Sequence, residues 1–406
     1  MVGINGGDQW RLKKLNRLKD LNIFAKRRWT GPPLPWRNLR QAPGQFALAI
    51  AAISFAVMLI FMQLGILGAV LQGATLIYDQ LDFDIVLISQ KSLEVSFTQP
   101  FSRQQLYRVN GLADVASTAS VYLSFSDFKN PEDQSLNSIL VMAIPLEKST
   151  FKSQEINQKR NILQQQDTVL FNRLSDDNFG TVTTGIVSEL QGKRVKVGGL
   201  FTMNNSFRFI GSVLMSEQNF NRFYPRRSPD EISLGLVKIK PDVDIDQVIT
   251  QIRQLVPQSI TVLSRAEAAA KDQYYWLTST SIGIIVSFGV STAFLIGAVI
   301  VYQILNADVM ERLPEYGTLK ATGYSNQQLA KIVIQQSTII GLLGYIVGLF
   351  GSLALYQIMR SATALPIQIS ILRILLVLFL TLIMCNLSAL VSLQKVIKLD
   401  PSDIFN

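Results

Sequence analysis

Few of the residue types that carry enzyme chemistry occur in this chain of 406 residues. It has no histidine, which excludes histidine general bases, Ser-His-Asp nucleophiles and histidine-ligated metals. Its single cysteine, Cys385, excludes an intrachain disulfide and a thiolate zinc site. The pattern GxxxxGKS/T is absent, so the sequence predicts no ATP-binding loop of its own. We therefore expect a protein that is not an enzyme and that holds no cofactor or metal.

The segment 306–331 combines charged residues, a proline and a glycine at spacings that favour a short exposed helix. Pro314 interrupts the helix that precedes it, and Gly323 is suited to end the next one. Ser325 with Gln328 is a capping box that starts a further helix. The pattern predicts a short helix of mixed charge that protrudes and fits a groove of a partner protein. A plain connecting turn is the alternative.

Four long stretches without charged residues dominate the rest of the chain. They contain 38, 35, 28 and 21 residues and lie at 41–78, 273–307, 332–359 and 374–394. A helix crosses a bilayer with about 20 apolar residues, whereas the longest uncharged run between Asp79 and Asp272 has 13. The sequence therefore predicts four transmembrane helices in a lipid bilayer, at 41–78, 273–305, 332–359 and 374–394.

Lys and Arg residues near the ends of the spans predict the orientation. Residues 1–40 carry ten of them, the 306–331 loop three and the 395–406 tail two, whereas the 360–373 loop carries only two. Because cations are retained on the cytoplasmic side of a membrane, both termini and the 306–331 loop are predicted to be cytoplasmic. Residues 79–272 and the 360–373 loop are then predicted to lie outside.

The net charge of +9 raises nucleic acid or anionic lipid as a partner. In the basic cytoplasmic segment, residues 1–40, apolar residues recur every two to three positions among the cations. Such a pattern is typical of a helix that lies on an anionic membrane surface, and a solvated tail is the alternative. Because a membrane span follows so closely, no nucleic-acid partner is expected.

Residues 79–272 predict a mixed α+β domain with two lobes. Short apolar runs that favour strands lie at 85–88, 115–125, 139–144, 169–171, 195–201 and 234–239. Two capping boxes, each with a Gln three residues later, begin at Ser102 and Asp244 and start helices that run into strands. These two similar units predict a module closed by its own ends, and the more polar stretch 145–230 predicts a second lobe.

A third capping box, Ser264 with Glu267, starts a helix at the end of this domain. We expect that helix to continue into the second span and to connect the domain mechanically to the membrane. The predicted fold class is thus an α-helical membrane protein with four transmembrane helices and a large α+β domain inserted between the first and the second.

In the third span, Gly341, Gly344, Gly348 and Gly351 follow one another at spacings of three, four and three. They share one helix face and predict close packing against another helix, and lining of a pore is the alternative. No ionisable residue lies in the middle of any span, so a transporter that depends on buried acids is not expected. Energy for any transport would then come from another source.

The segment after the second span closely resembles the corresponding loop of ABC-exporter permeases of the MacB and FtsX superfamily. The residues that match the superfamily pattern are Glu311, Glu315, Gly317, Leu319, Lys320, Ala321 and Gly323. The stretches 313–316 (LPEY) and 320–324 (KATGY) resemble one branch of it, the DevC-type permeases of cyanobacterial exporters. Residues 35–39, 61–65 and 400–405 resemble the same branch, so the resemblance covers roughly residues 30–406.

The resemblance implies a homodimer in the inner membrane, with residues 79–272 in the periplasm. It implies a separate ABC ATPase subunit that binds ATP and Mg and contacts the 306–331 loop. The residues expected at this contact are Glu311, Arg312, Glu315, Gly317, Leu319, Lys320 and Gly323. It also implies a periplasmic adaptor (membrane fusion) protein and an outer-membrane channel of the TolC type, through which a glycolipid or other amphiphile leaves the cell.

Two other functions are compatible with the same layout. A lipoprotein-releasing permease would hand lipid-anchored proteins to a carrier. An FtsX-like regulator would transmit ATPase motion to a cell-wall hydrolase without transport. Neighbouring genes for an adaptor and a channel would favour the exporter, and a periplasmic hydrolase partner would favour the regulator.

Overall fold

The computed structural model describes residues 43–363 and 369–397. Within them the helices are α1 (Pro43–Gln80), α2 (Gln104–Asn110), α3 (Gln154–Gln158), α4 (Glu217–Phe223), α5 (Ile245–Leu255), α6 (Arg265–Thr278), α7 (Ser281–Glu311), α8 (Leu313–Ala321), α9 (Asn326–Thr363) and α10 (Ile371–Ile397). The strands are β1 (Ile85–Ser89), β2 (Phe101–Ser102), β3 (Val115–Lys129), β4 (Leu136–Ile144), β5 (Thr168–Asn172), β6 (Val187–Leu190), β7 (Lys193–Phe201), β8 (Ser212–Ser216), β9 (Glu231–Ile232), β10 (Leu234–Ile239) and β11 (Ile260–Ser264). The predictions for residues 1–40 and for the tail beyond residue 397 lie outside the described residues.

Four of these helices, α1, α7, α9 and α10, are long and apolar enough to cross a membrane. They confirm the four predicted spans, with the inserted domain between the first and the second. The helices extend beyond the uncharged stretches: α7 continues to Glu311 and α9 begins at Asn326. The reason is that a helix can leave the bilayer without ending, so a charged residue marks the membrane surface better than it marks the end of a helix.

The second span begins at Ser281 rather than at residue 273, and the helix α6, which we call the stalk helix, does not continue into it. The Thr280 side chain caps α7 by accepting a hydrogen bond from the Gly283 N–H at 3.1 Å. A Cβ atom on Gly283 would lie 1.9 Å from the Trp276 carbonyl oxygen, so this tight corner requires glycine. The uncharged run concealed the break because it covers parts of both helices.

The third span packs closely along the first. Three of the four predicted packing glycines, Gly344, Gly348 and Gly351, face α1, and Gly341 faces α10. A Cβ atom on Gly348 would lie 2.8 Å from the Ser54 carbonyl oxygen. The Ser54 hydroxyl donates a hydrogen bond of 3.0 Å to the Gly344 carbonyl oxygen. The two backbones therefore approach within a distance that larger residues would not allow.

The inserted domain is built on a nine-stranded sheet in the order β11-β1-β10-β3-β4-β8-β5-β7-β6, with β2 and β9 paired separately. All six apolar runs predicted as strands lie in strands. β1 lies between β10 and β11 and is antiparallel to both. The two ends of the domain therefore meet in one sheet, as predicted.

The first lobe consists of β11, β1, β10 and the first half of β3, with helices on both faces. Ile85 and Leu87 of β1 belong to the core beneath α2 and α5, whereas Val86 and Ile88 belong to the core beneath α1 and α6. All four are buried, so β1 is covered on both sides. The stalk helix and the end of the first span thus pack directly on this lobe.

The second lobe consists of β4 to β8 and the second half of β3. Phe128 of β3 pairs with Leu190 of β6, which closes these strands into a barrel. The rings of Phe128, Phe171 and Phe179 lie with centroids 5.2 to 6.1 Å apart and fill the barrel. This lobe contains most of the stretch 145–230, which the sequence predicted as a separate lobe.

The predicted capping boxes in this domain were confirmed in full only for α6. Ser264 makes both bonds of its capping box at the start of α6. The Asp244 side chain caps α5 by accepting a hydrogen bond of 3.0 Å from the Asp246 N–H, which is a simple cap rather than the predicted box with Gln247. Ser102 lies in β2, where it pairs with Glu231 of β9. Its hydroxyl still accepts a hydrogen bond of 3.3 Å from the N–H of Gln104, the first residue of α2, rather than from Gln105 as the predicted box requires. Ser102 thus belongs to a strand and also bonds the first turn of the helix.

Candidate functional site

The chain between the second and third spans forms the short helix α8, whose ends are set by backbone geometry. α7 ends at Glu311, and Pro314 lies in the first turn of α8, where its missing N–H costs no hydrogen bond. Gly323 follows α8 with a φ of 97°, which residues with a side chain rarely adopt. The Tyr324 N–H donates to the Leu319 carbonyl oxygen at 3.1 Å and closes the helix end.

The start of α9 is fixed by side-chain capping. The Ser325 N–H donates to Gln328 Oε1 at 2.8 Å, and the Gln328 N–H donates to Ser325 Oγ at 3.4 Å. This is the reciprocal capping box that the sequence predicted. Short connections with defined geometry therefore join α8 to the second span on one side and to the third span on the other.

One side of α8 packs into the helix bundle. Tyr316 and Gly317 are buried, and Tyr316 lies in the same apolar cluster as Val309 of α7 and Leu393 of α10. Burial raises the pKa of Tyr316 because a phenolate there would lose its hydration. Its side chain therefore remains a neutral phenol, and α8 is anchored to the bundle through an apolar contact.

A buried polar network joins α8 to both neighbouring spans. Asp308 of α7 accepts hydrogen bonds from Arg312 Nε at 3.0 Å and from Gln336 Nε2 of α9 at 2.5 Å. Arg312 is only 7% exposed, so water competes little for these bonds. Sequence reasoning missed Asp308 and Gln336. The spacing of four between Asp308 and Arg312 was a usable signal, whereas no local pattern pointed to Gln336.

The other side of α8 is exposed and acidic. Glu315 and Thr318 are exposed on it, and Glu311 is exposed at the adjoining end of α7. Met310 and Tyr324 add exposed apolar area at its margins. We call these five residues the α8 surface. Carboxylates beside apolar area suit a protein partner that has a basic groove. The five residues of the α8 surface include no nucleophile activated by a neighbouring base.

The seven residues that the sequence placed at a partner contact fall into three groups. Glu311, Glu315 and Gly323 are exposed, Leu319 and Lys320 are half-buried, and Arg312 and Gly317 are buried. The buried members hold α8 in position, and the exposed members reach the solvent. Over residues 43–363 and 369–397, no group of three or more potential metal ligands occurs.

Arg265, the first residue of the stalk helix, joins that helix to the end of the first span. Its guanidinium donates hydrogen bonds of 2.6 Å to the Tyr78 carbonyl oxygen and 2.7 Å to the Leu81 carbonyl oxygen. It also lies 4.0 Å from the centroid of the Phe83 ring. No sequence pattern had singled out Arg265. It makes α6 and the end of α1 one unit beneath the first lobe.

Comparison with known protein families gives two matches along the chain. Residues 46–255 match the MacB-like periplasmic core domain, and residues 285–401 match the FtsX-like permease C-terminal domain. The first match alone covers half of the chain. The protein therefore belongs to the MacB/FtsX superfamily of ABC transporter permeases, as the resemblance of its loop indicated. It is a multi-pass membrane protein, and the family implies a partner ATPase.

Individual relatives are distant. An uncharacterized ABC transporter permease of Methanocaldococcus jannaschii is 24% identical over 188 residues, which are 44% of this chain and 45% of the relative. The chain thus matches about half the length of that relative. The extracellular domain of the noncanonic ABC-type transporter YknZ from Gram-positive bacteria is 11% identical, with 45% of this chain and 100% of that one covered and a TM-score of 0.32. The periplasmic region of MacB from Actinobacillus actinomycetemcomitans is 9% identical, with 47% and 92% covered and a TM-score of 0.34.

Proposed function

We propose that this protein is the permease subunit of an ATP-driven exporter and that its ATPase subunit binds the α8 surface. The observation that carries the proposal is the two-sided character of α8. Its exposed side carries Glu311 and Glu315, and its buried side is bonded through Arg312 and Asp308 to the second and third spans. The chain itself hydrolyses no ATP, and the partner binds ATP and Mg.

A continuous path leads from α8 to the inserted domain. α7 carries the motion across the membrane to the corner at Thr280, and the stalk helix ends on the far side of that corner. The stalk helix and the end of α1 lie beneath the first lobe and are joined by Arg265. A displacement of α7 relative to α1 would therefore shift the first lobe. Such a linkage performs work outside the bilayer without a substrate channel through the spans.

The finer parts of the proposal follow the family resemblance. The protein acts as a homodimer in the inner membrane, with both termini and α8 in the cytoplasm and the inserted domain in the periplasm. An adaptor (membrane fusion) protein and an outer-membrane channel of the TolC type complete the exporter, which expels a glycolipid or other amphiphile. The excess of Lys and Arg on the α8 side supports this orientation. Exposed apolar residues of α7, such as Ile285 and Phe288, offer area to lipid or to a second copy.

Reversal of one charge tests the α8 surface. Glu315→Lys should reduce the amount of ATPase that co-purifies with the permease and should uncouple ATP hydrolysis from export. Loss of one partner from a desolvated charge pair costs about 2–5 kcal/mol, whereas an exposed pair is worth only about 0–1 kcal/mol. Asp246→Lys is the matched control, because it makes the same charge change at an exposed site of α5 in the inserted domain. Both variants should insert into the membrane normally.

The control should retain wild-type binding and export. If Glu315→Lys also retained both, Glu315 would have no part in ATPase binding. The α8 surface would then be the exposed side of a plain connector between two spans.

A further inference from the structure

The chain between β1 and β2 crosses the stalk helix and is bonded to it. We call residues 90–100 the strap. Lys271 of α6 donates hydrogen bonds to two consecutive carbonyl oxygens of the strap, each at 3.1 Å. Asp272, the next residue of α6, accepts a hydrogen bond of 2.8 Å from the Val95 N–H. Two adjacent side chains thus bind the strap backbone, one as donor and one as acceptor.

The strap is also joined to the second lobe. Arg208 lies in the loop between β7 and β8. Its guanidinium is 4.2 Å from the centroid of the Phe97 ring in the strap and 4.2 Å from the centroid of the Phe125 ring in β3. Ser206 of the same loop lies against α1, since its Cβ is 3.1 Å from where a Cβ on Gly73 would be. The strap therefore lies where the stalk helix, the first span and the second lobe meet.

Asp272 is fully buried in this contact, at 0% exposed. The charged or titratable groups that face it are Tyr78 of α1, Glu94 of the strap and Lys271 of α6. Glu94 is itself buried. Asp272 Oδ1 lies 3.8 Å from Lys271 Nζ and beside the Tyr78 hydroxyl, although neither Oδ1 nor that hydroxyl makes a hydrogen bond of good geometry within the described part of the chain. A charge on Asp272 would lie beside Glu94 with little hydration, and protonation removes that cost.

We propose that the strap is a proton-sensitive clamp, which closes over the stalk helix when Asp272 is protonated and opens when Asp272 is ionised. Opening would admit water to the carboxylate and move Glu94 away from it. A closed strap would carry movement of the stalk helix to the second lobe through Phe97 and Arg208. Only this link to export rests on the function proposed above.

The direction of the pH effect follows from the burial of Asp272. Burial raises the pKa of Asp272 to about 7; Glu94 adds to the rise, whereas Lys271, the Val95 N–H and the Tyr78 hydroxyl oppose it. In an open strap the carboxyl is hydrated, and its pKa returns toward the ordinary value of 3.8. The closed strap therefore binds the proton more tightly. Closure is strongest at low pH, weakens as the pH rises toward about 7 and stays weakest above it.

A spin label in the strap tests the clamp in the full chain in lipid nanodiscs. Leu93 is 53% exposed, whereas Cys385, the only cysteine, is buried, so Leu93→Cys can be labelled selectively. The mobility of the label, measured by electron paramagnetic resonance, should rise from about pH 5 and level off above about pH 7. Asp272→Asn, which imitates the neutral carboxyl, should keep the label immobile throughout. Asp246→Asn, the same change at an exposed site, should leave the wild-type curve unchanged.

Glu94→Gln provides a second variant, because it removes the neighbouring acid and leaves Asp272 in place. It should move the change in mobility to lower pH, since the like charge that raises the pKa of Asp272 is gone. The clamp is refuted if the wild-type label shows no change over this range, or if Asp272→Asn keeps the wild-type change. The label reports on the strap without any ATPase present, so this result does not depend on the proposed function.

Discussion

Asp308, Arg312 and Glu315 are close together in the chain, yet they differ in solvent exposure. Their ion pairs therefore contribute differently to the stability of the fold. The side chains of Asp308 and Arg312 are 17% and 8% exposed, so their ion pair is largely shielded from water. Glu315 is exposed to solvent. Removing one partner of a buried pair costs about 3–5 kcal/mol, whereas an exposed pair contributes about 0–1 kcal/mol. Asp308 and Arg312 therefore serve stability, and Glu315 is available for recognition.

Asp308→Ala should destabilise the protein strongly. It leaves the Arg312 guanidinium buried without this carboxylate and removes the acceptor of the Gln336 amide. We expect a loss of about 3–5 kcal/mol in the free energy of unfolding, measured as a lower midpoint of unfolding in detergent micelles. Asp82→Ala is the control, since Lys238 and Asp82 are 41% and 42% exposed and their pair is worth about 0–1 kcal/mol. Equal shifts for the two variants would contradict the buried network.

The pairing of α9 with α1 depends on contacts between backbones. The Ser54 hydroxyl bonds the Gly344 carbonyl oxygen, and the Tyr356 hydroxyl donates to the Phe61 carbonyl oxygen. Each bond joins a side chain of one helix to the main chain of the other, which is possible only at a close approach. The first and third spans are therefore expected to move together, whereas α7 meets the stalk helix at a corner.

Gly348→Ala should force α9 away from α1. The new methyl group would lie 2.8 Å from the Ser54 carbonyl oxygen and 2.7 Å from Val57 Cγ1, and a carbonyl cannot yield without a shift of its helix. Overpacking of this kind costs about 1–3 kcal/mol, which should lower the midpoint of thermal unfolding.

Gly44→Ala in α1 is the matched control for this substitution. The described residues place no atom within 4 Å of the added methyl group, and alanine favours a helix over glycine. The control should be neutral or slightly stabilising. If Gly348→Ala unfolded at or above the wild-type midpoint, the close packing of α9 on α1 would not contribute to stability.

The molecule as a whole has a helix bundle at one end and the two-lobed inserted domain at the other. α1 is continuous between them, whereas the path through α6 and α7 has a corner. The continuous helix α1 is a rigid connection, and the corner between α6 and α7 is a joint. Together they allow the bundle to change the tilt of the inserted domain. This arrangement agrees with a permease whose work is done outside the bilayer.

Cysteine labelling checks the proposed orientation. Leu136 of β4 and Gln327 of α9 are both exposed, and native Cys385 is buried. A membrane-impermeant maleimide should label Leu136→Cys in intact spheroplasts, and Gln327→Cys only after the membrane is permeabilised. The reason is that Lys and Arg are retained on the cytoplasmic side, where α8 is proposed to lie. Labelling of Gln327→Cys in intact spheroplasts would contradict this orientation.

Much of the architecture followed from residues that are near one another in the chain. The four spans were predictable because a bilayer imposes a minimum length of uncharged helix. The strands were predictable because each is a short apolar run, and the caps at Asp244, Ser264 and Ser325 because a cap bonds N–H groups within three residues. The loop sequence around Glu315 also sufficed to indicate the superfamily.

Other features depended on contacts between distant parts of the chain, which no local pattern encodes. Pairing of Phe128 with Leu190 closed the second lobe. Arg312 and Glu315 are both charged residues of one short segment, and only the packing of α7, α9 and α10 buries one and exposes the other. Asp272 became a buried carboxyl group in the same way. Burial and hydrogen bonding arise from how the helices and strands pack. The tertiary structure therefore decided how strongly each of these charged groups interacts with its neighbours.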